Sequence, residues 1–213
     1  MRAQTIKDFR RAVGDRVAHV TAAGNLSFIL AHGLVSAHEL AESMFVSPGT
    51  LPLRNQRLQI EGAGRRAILN HQLPILHGLN AANAMVEGHT AQTWAAALDQ
   101  RVYLWPKTKG AEFARSVSRD LPIEVIWLDT EGLAEVAYDV IDLAPINTGN
   151  FTQGGAHARR GDWIYVPLSR GLEAFRENRR QRGLATTRDT VKEISLRRGI
   201  QADVLQTLRV SVT

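Results

Sequence analysis

Cysteine is absent from this chain of 213 residues. Its absence excludes a disulfide framework, a thiolate nucleophile and every zinc site built from thiolate ligands. Long apolar runs are also missing, so no segment is predicted to cross a bilayer. Residues 1–16 are mostly polar and lack the apolar centre of a signal peptide. We therefore expect an intracellular, cytoplasmic protein that does not bind membranes.

Two common kinds of catalytic pattern are missing as well. Seven histidines are present, but no two stand at the His-x-x-x-His spacing that presents two metal ligands on one helix face. We therefore expect no bound metal. The chain also lacks the Gly-x-Ser-x-Gly turn that exposes a serine nucleophile in α/β hydrolases. Carboxylate, imidazole and hydroxyl groups remain as candidates for chemistry.

The order of the predicted elements favours an α+β fold in a single domain, residues 1–213. Apolar patterning predicts strands at residues 17–21, 101–105, 123–128, 163–166 and 190–196, and one near residue 140. Helices are intermixed with these strands but do not alternate with them as regular βαβ units. Asn25, Ser36 and Thr90 stand where helix N-caps are expected, and Gly33 where a helix ends.

His19 and Thr21 are the first candidate functional residues. Residues two apart on a strand share a face, so the imidazole and the hydroxyl point the same way. Together they could hydrogen-bond the hydroxyls of a ribose. The alternative is a half-buried histidine whose hydrogen bonds are satisfied within the core.

Tyr103 and Glu193 are the next candidates, and each lies within a predicted strand. Tyr103 could stack on a nicotinamide or a nucleobase, although aromatic residues are also ordinary strand formers. Glu193 is unusual because propensity disfavours a carboxylate in mid-strand, which invites a functional explanation. The alternative is an edge strand whose glutamate points outward. If all four residues form one site, His19 and Thr21 line the same cleft as Tyr103 and Glu193.

Positive charge is concentrated near the end of the chain. Lysine and arginine number 26 against 21 acidic residues, and residues 176–198 contain eight basic residues against three acidic ones. Residues 169–181 are predicted to form a helix with Leu172 and Phe175 toward the core. The spacing then puts three arginines on one flank, where they could bind nucleic-acid phosphates. This predicted phosphate-binding set is Arg176, Arg179 and Arg180, with Arg182 beside them. The alternative is a solvated helix face on which the arginines pair with acids such as Glu173 and Glu177.

Several blocks of the sequence resemble the DarT-type ADP-ribosyltransferases, which modify DNA. The opening block reads His-x-Thr, then Asn-Leu, an apolar pair and Gly-Leu-x-Ser; it consists of His19 to Thr21, Asn25-Leu26, Ile29-Leu30 and Gly33 to Ser36. The strand around Glu193 resembles their glutamate-bearing strand, and the order His, aromatic, Glu is that of one ADP-ribosyltransferase class. The chain is more similar still to an uncharacterised bacterial family with the same opening, a strand like residues 101–105 and a loop like residues 145–149.

The resemblance implies an ADP-ribosyltransferase-like split mixed sheet with flanking helices. It also implies roles for individual residues. His19, Thr21 and Asn25 would hold NAD as a co-substrate, and Glu193 would bind a ribose hydroxyl and assist proton transfer as nicotinamide leaves. Arg54, with Arg57 as a rival, would act on the NAD phosphates or on the reacting base. The implied substrate is DNA, in single-stranded form or with a flipped base, and the implied setting is a toxin or antiphage effector, with or without an antitoxin.

Two other functions stay open. The segment between the second helix and Tyr103 departs from the DarT pattern, and in that family it supplies part of the loop that covers NAD. A DNA glycosylase on the same fold, which excises a flipped base without NAD, is therefore the alternative. The third possibility is a nucleic-acid-binding module without catalysis, against which the joint presence of His19, Thr21 and Glu193 argues.

Overall fold

A computed structural model describes residues 1–76, 86–118, 122–149, 159–184, 190–208 and 211–213. The helices are α1 (Arg2–Val13), α2 (Leu26–His32), α3 (Ala37–Ser43), α4 (Leu73–Leu76), α5 (Ala91–Asp99), α6 (Lys107–Val117), α7 (Thr130–Ala137), α8 (Gly171–Gln181) and α9 (Ala202–Thr207). The strands are β1 (Arg16–Ala22), β2 (Leu58–Gly62), β3 (Arg65–Leu69), β4 (Val102–Pro106), β5 (Ile123–Asp129), β6 (Ile141–Ala144), β7 (Val166–Pro167), β8 (Glu193–Leu196) and β9 (Ser211–Val212).

Seven of the strands form one sheet in the order β7-β6-β8-β4-β1-β5-β9, and β2 and β3 form a separate hairpin. The α+β class is therefore confirmed. Within the described residues every pairing of these strands is antiparallel, so the expectation of a mixed sheet is corrected. Helix α6 connects β4 to β5, and helix α7 connects β5 to β6. Because neither pair of strands is adjacent in the sheet, these helical connections create no parallel neighbours.

The sheet opens between its two central strands. β1 pairs with β5 over seven positions, whereas it pairs with β4 only at Val17–Pro106 and Ala18–Trp105. Beyond Ala18 the two strands separate, although both continue for several residues. A gap therefore opens in the middle of the sheet, beside His19 and Thr21.

Helices cover both faces of the sheet. The largest apolar cluster joins one face to α1, α7 and α8 through fully buried residues such as Phe9, Leu133 and Phe175. On the other face α6 packs against β1. Gly110 permits this approach, because a Cβ atom there would lie 2.5 Å from the Cβ of Ala18. None of the described helices is both long enough and apolar enough to span a membrane.

Local signals located the helix ends well. Ser36 and Thr90 form the capping boxes of α3 and α5, and Gly33 ends α2 with φ of 96°. Asn25 occupies the N-cap position of α2, but its side chain makes no capping hydrogen bond. The predicted strand at residues 163–166 is instead a 3₁₀ turn, Asp162–Ile164, followed by β7. The β8 strand is shorter than predicted and begins at Glu193.

Candidate functional site

A cavity among the described residues lies at the gap between β1 and β4. Its volume is about 610 Å³, and its wall includes His19, Thr21, Tyr103 and Glu193. The prediction that these four residues share one cleft is therefore confirmed. Asn25, Arg54 and Arg57 also line it.

The gap in the sheet allows His19 and Glu193 to line the same cavity. The register Ala18–Trp105 and Tyr103–Ser195 puts Glu193 on the sheet face of Trp105, and strict alternation puts His19 on the other face. However, β1 and β4 have already separated at His19, and its Nδ1 lies 3.0 Å from the carbonyl oxygen of Tyr103. The imidazole therefore sits between the two strands, where it reaches the cavity.

His19 is held as a hydrogen-bond acceptor toward the cavity. Burial lowers the pKa of His19, which favours the neutral ring. Because a carbonyl oxygen only accepts, Nδ1 must carry the proton that it donates to Tyr103. Nε2 is then unprotonated and can accept a hydrogen bond from a ligand hydroxyl.

Asn25 connects the opening motif to the β2–β3 hairpin. Its Nδ2 donates to Thr21 Oγ1 at 3.0 Å and to the Ile68 carbonyl at 2.9 Å, and its Oδ1 accepts from the Ile68 N–H. The side chain thus pairs with the β3 backbone as another strand would. Because Thr21 Oγ1 accepts from Asn25, the Thr21 hydroxyl keeps its proton to donate. Asn25 therefore orients Thr21 and fixes one wall of the cavity.

Glu193 is buried, and among the described residues its hydrogen bonds come from Thr148. The Thr148 hydroxyl donates to Oε1 at 2.6 Å, and the Thr148 N–H donates to Oε2 at 3.2 Å. Glu193 is only 3% exposed, and β8 lies between β6 and β4, so the alternative of an outward glutamate on an edge strand is wrong. Burial raises the pKa of Glu193 to about 7, while the hydrogen bonds from Thr148 and the positive charge of Arg160 oppose that rise.

A polar network supports Tyr103 and Glu193 from behind. The hydroxyls of Tyr103 and Tyr165 are 2.9 Å apart, and burial raises the pKa of both. The guanidinium of Arg101 lies 3.7 Å from the Tyr165 ring centre and donates to the buried Asp142 at 2.7 Å. Arg197 pairs with the other oxygen of Asp142. Burial, which outweighs the opposing positive charge of Arg101, therefore keeps the two tyrosines neutral beside the carboxylate.

The sequence interpretation missed most of these supporting residues. Thr148, Arg160, Tyr165 and Asp142 lie in loops or short strands, where no periodicity marks them. Arg160 is buried, donates to the Asn147 carbonyl, and has its pKa lowered by burial to about 10. One signal could have found Thr148, since it lies in the 145–149 loop that the family resemblance had already singled out.

Arg54 lines the cavity, but its guanidinium is engaged by the protein. Its Nη1 donates to both oxygens of Asp99, at 2.9 and 2.8 Å, and to the Leu51 carbonyl at 3.1 Å; its Nε donates to the Asn70 carbonyl. The side chain is 11% exposed. Arg54 therefore ties the end of α5 to the segments on either side of the hairpin. The geometry gives it a structural role, whereas the sequence had suggested a catalytic one.

Replacing Arg54 by methionine is expected to lower the free energy of unfolding by about 3 kcal/mol, because Asp99 would be left buried without its cation. The measurement is urea unfolding of wild type, Arg54→Met and the double variant Arg54→Met/Asp99→Leu. The double variant should regain much of the loss, since a buried pair can be replaced by apolar groups at little cost. A catalytic role alone would instead leave the stability of Arg54→Met unchanged.

The arginines of α8 do not form the predicted exposed cluster. Leu172 and Phe175 face the core as expected, but Arg179 is buried with them and donates to the Thr190 carbonyl at 3.0 Å. Arg176 pairs with Glu173, and Arg180 pairs with Glu173 and Glu177. Arg182 pairs with Glu87 and lies over the Trp163 ring. The structure thus shows the paired arrangement that was the alternative, and this helix gives little support to a nucleic-acid substrate.

Replacing Arg176 and Arg180 by glutamine should leave the affinity for an oligonucleotide nearly unchanged, because both charges are already balanced by Glu173 and Glu177. A salt titration of binding measures this, and the slope of log affinity against log salt should match that of wild type. A loss of about one unit of slope per arginine would show that both residues bind phosphates after all.

Among the described residues, no group of three or more His, Asp or Glu could hold a metal ion.

Comparison with known proteins identifies the family of the chain but not its function. No curated protein and no solved structure matches the chain. One family model matches residues 15–208, a span that includes the whole site, and its description is "Family of unknown function (DUF7002)". The chain belongs to this DUF7002 family.

Proposed function

We propose that the chain is an enzyme that breaks an N-glycosidic bond at a ribose C1′ carbon, as an NAD-dependent ADP-ribosyltransferase. One observation carries the proposal. His19, Tyr103 and Glu193 come from three neighbouring strands and meet in one cavity, around a carboxylate that is almost fully buried. The acceptor is proposed to be DNA because of the resemblance to DarT-type enzymes.

The carboxylate of Glu193 suits this chemistry. Positive charge develops at C1′ as the glycosidic bond breaks, and a nearby carboxylate stabilises it or accepts a proton from an incoming nucleophile. In a buried site such an interaction is stronger than in water. With its pKa raised to about 7, Glu193 can also exchange a proton near neutral pH.

The residues of the cavity fit the ribosyl end of NAD. NAD would supply the ADP-ribosyl group, with nicotinamide as the leaving group. His19 Nε2 can accept from a ribose hydroxyl, the Thr21 hydroxyl can donate, and the ring of Tyr103 offers a stacking surface. The volume of about 610 Å³ is within the range of roughly 300–1,000 Å³ for ligand sites. Arg54 and Arg57 both line the cavity, and the resemblance to DarT-type enzymes offers either of them for the diphosphate.

A second candidate is a DNA glycosylase, and one observation favours it. Two of the arginines on the cavity wall, Arg54 and Arg101, are each paired with a buried carboxylate, Asp99 and Asp142. Their charges are therefore largely balanced before a ligand arrives. A flipped neutral base needs no such charge, whereas the diphosphate of NAD does.

Incubation with DNA, with and without NAD, followed by mass spectrometry of the oligonucleotide, tests both candidates. The proposal predicts an added ADP-ribose only when NAD is present. An abasic site formed without NAD would select the glycosylase instead. Single-stranded DNA, duplex DNA and RNA should be tested in parallel under both conditions. If none of these substrates changes in either condition, both candidates fail.

A further inference from the structure

Thr148 contacts Glu193 in a way that no other described residue does. It supplies a donor to each carboxylate oxygen, the hydroxyl to Oε1 and the backbone N–H to Oε2. Two hydrogen bonds from one residue fix the rotation of the carboxylate as well as its position. The hydroxyl distance of 2.6 Å falls in the range of about 2.5–2.7 Å for a hydroxyl that donates to a charged carboxylate.

The loop that carries Thr148 is itself held in place. The indole N–H of Trp94, a fully buried residue of α5, donates to the Thr148 carbonyl at 3.1 Å. Arg160 donates to the preceding carbonyl, that of Asn147, through Nε and Nη2. Two consecutive carbonyls are thus anchored by buried side chains, so Thr148 has little freedom to move away from Glu193.

We propose that Thr148 is the positioning residue of the candidate site, which fixes the Glu193 carboxylate through both oxygens and favours its charged form. The proposed function supplies the reason for such a residue, since charge at C1′ is stabilised only by a correctly placed, ionised carboxylate. Among the described residues, the titratable groups that interact electrostatically with Glu193 include Arg160, Tyr103 and Tyr165. Arg160 favours the charged form, and the neutral, partly buried tyrosines contribute no charge of their own.

The variant Thr148→Val isolates the hydroxyl, because it keeps the shape of the side chain and the backbone N–H. Without the hydroxyl, the charged form of Glu193 loses a hydrogen bond, so its titration should move upward by about one pH unit. Thr148→Ser keeps the hydroxyl and should titrate as wild type does. If Thr148 had only a structural role, the Glu193 titration would not shift in Thr148→Val and return to its wild-type position in Thr148→Ser.

The measurement is a carbon-13 NMR titration of the glutamate carboxyl carbons, in which comparison with Glu193→Gln identifies the Glu193 signal. The pH dependence of turnover is measured on the same proteins. We expect the acidic limb of the turnover profile to shift upward in Thr148→Val with KM nearly unchanged, and to return to wild type in Thr148→Ser.

An unchanged Glu193 titration in Thr148→Val would overturn the proposal. If Thr148→Val does not fold, Thr148→Ala takes its place in the same titration. If wild type cleaves no substrate, the proposed function fails, but the NMR titration still decides the role of Thr148. An upward shift of the Glu193 titration in Thr148→Val that is absent in Thr148→Ser would then support the positioning role of Thr148, independently of the proposed function.

Discussion

Replacing Glu193 by glutamine is expected to lower turnover by about a hundredfold to ten-thousandfold. Glutamine keeps the size of the side chain and can still accept a hydrogen bond from the Thr148 hydroxyl. It removes the negative charge that would stabilise a cationic C1′ centre. The measurement is the initial rate of glycosidic cleavage at saturating substrate, with circular dichroism to show that the fold is intact.

The matched control is Glu135→Gln, because Glu135 is an exposed glutamate of α7 and is not among the residues that line the cavity. It should retain the wild-type rate. Activity of Glu193→Gln within a fewfold of wild type would show that Glu193 is not the catalytic carboxylate. An unfolded Glu193→Gln protein would show that the residue is needed for structure.

The same carboxylate should make stability depend on pH. The pKa of Glu193 is raised to about 7 in the folded protein, well above the ordinary value of 4.5. Between these two values the folded state holds a proton that the unfolded state has released, so stability falls as pH rises. The shift corresponds to a loss on the order of 3 kcal/mol between pH 4.5 and pH 8.

Urea unfolding of wild type and Glu193→Gln at several pH values measures this effect. The difference in free energy of unfolding between the two proteins should change across that window in favour of Glu193→Gln. Other groups with perturbed pKa values, such as His19 and Asp99, are present in both proteins and cancel in the difference. A difference that is independent of pH would mean that Glu193 titrates normally.

The sequence predicted which residues line the cavity better than it predicted how the strands bring them there. Apolar alternation located β1, and the capping boxes at Ser36 and Thr90 located two helices. Glu193 stood out because a carboxylate in mid-strand conflicts with strand propensity, and the structure shows that this carboxylate is indeed buried. Alternation alone, however, puts His19 and Glu193 on opposite faces. Only the early separation of β1 from β4 brings them together, and that depends on contacts between distant segments.

The phosphate-binding prediction for the arginines of α8 could have been corrected from the sequence itself. Arg179 follows Leu172 by seven residues and Phe175 by four, so it shares their core-facing side of the helix. Glu173 and Glu177 stand at helical spacings from Arg176 and Arg180, which predicts ion pairs. The sequence analysis stated the ion pairs as the alternative, but it placed Arg179 on the exposed flank although helical spacing puts that residue beside Phe175.

Other contacts could not have been read from the sequence. Arg101 and Asp142 are 41 residues apart, and Arg54 and Asp99 are 45 apart. No local pattern links the members of either pair, because each pair joins segments that are distant in the sequence. The engagement of Arg54 by the fold, and the burial of Asp142 between two arginines, are thus properties of the tertiary structure alone.

The central claim is that this cavity breaks an N-glycosidic bond, and the most direct measurement is the detection of a released heterocycle. Wild-type protein is incubated with NAD and DNA together, and the small molecules are separated by liquid chromatography and identified by mass spectrometry. We expect free nicotinamide to accumulate with time in wild type and not in Glu193→Gln. A free nucleobase in its place would select the glycosylase. Release of neither compound, from protein shown to be folded, would contradict the claim.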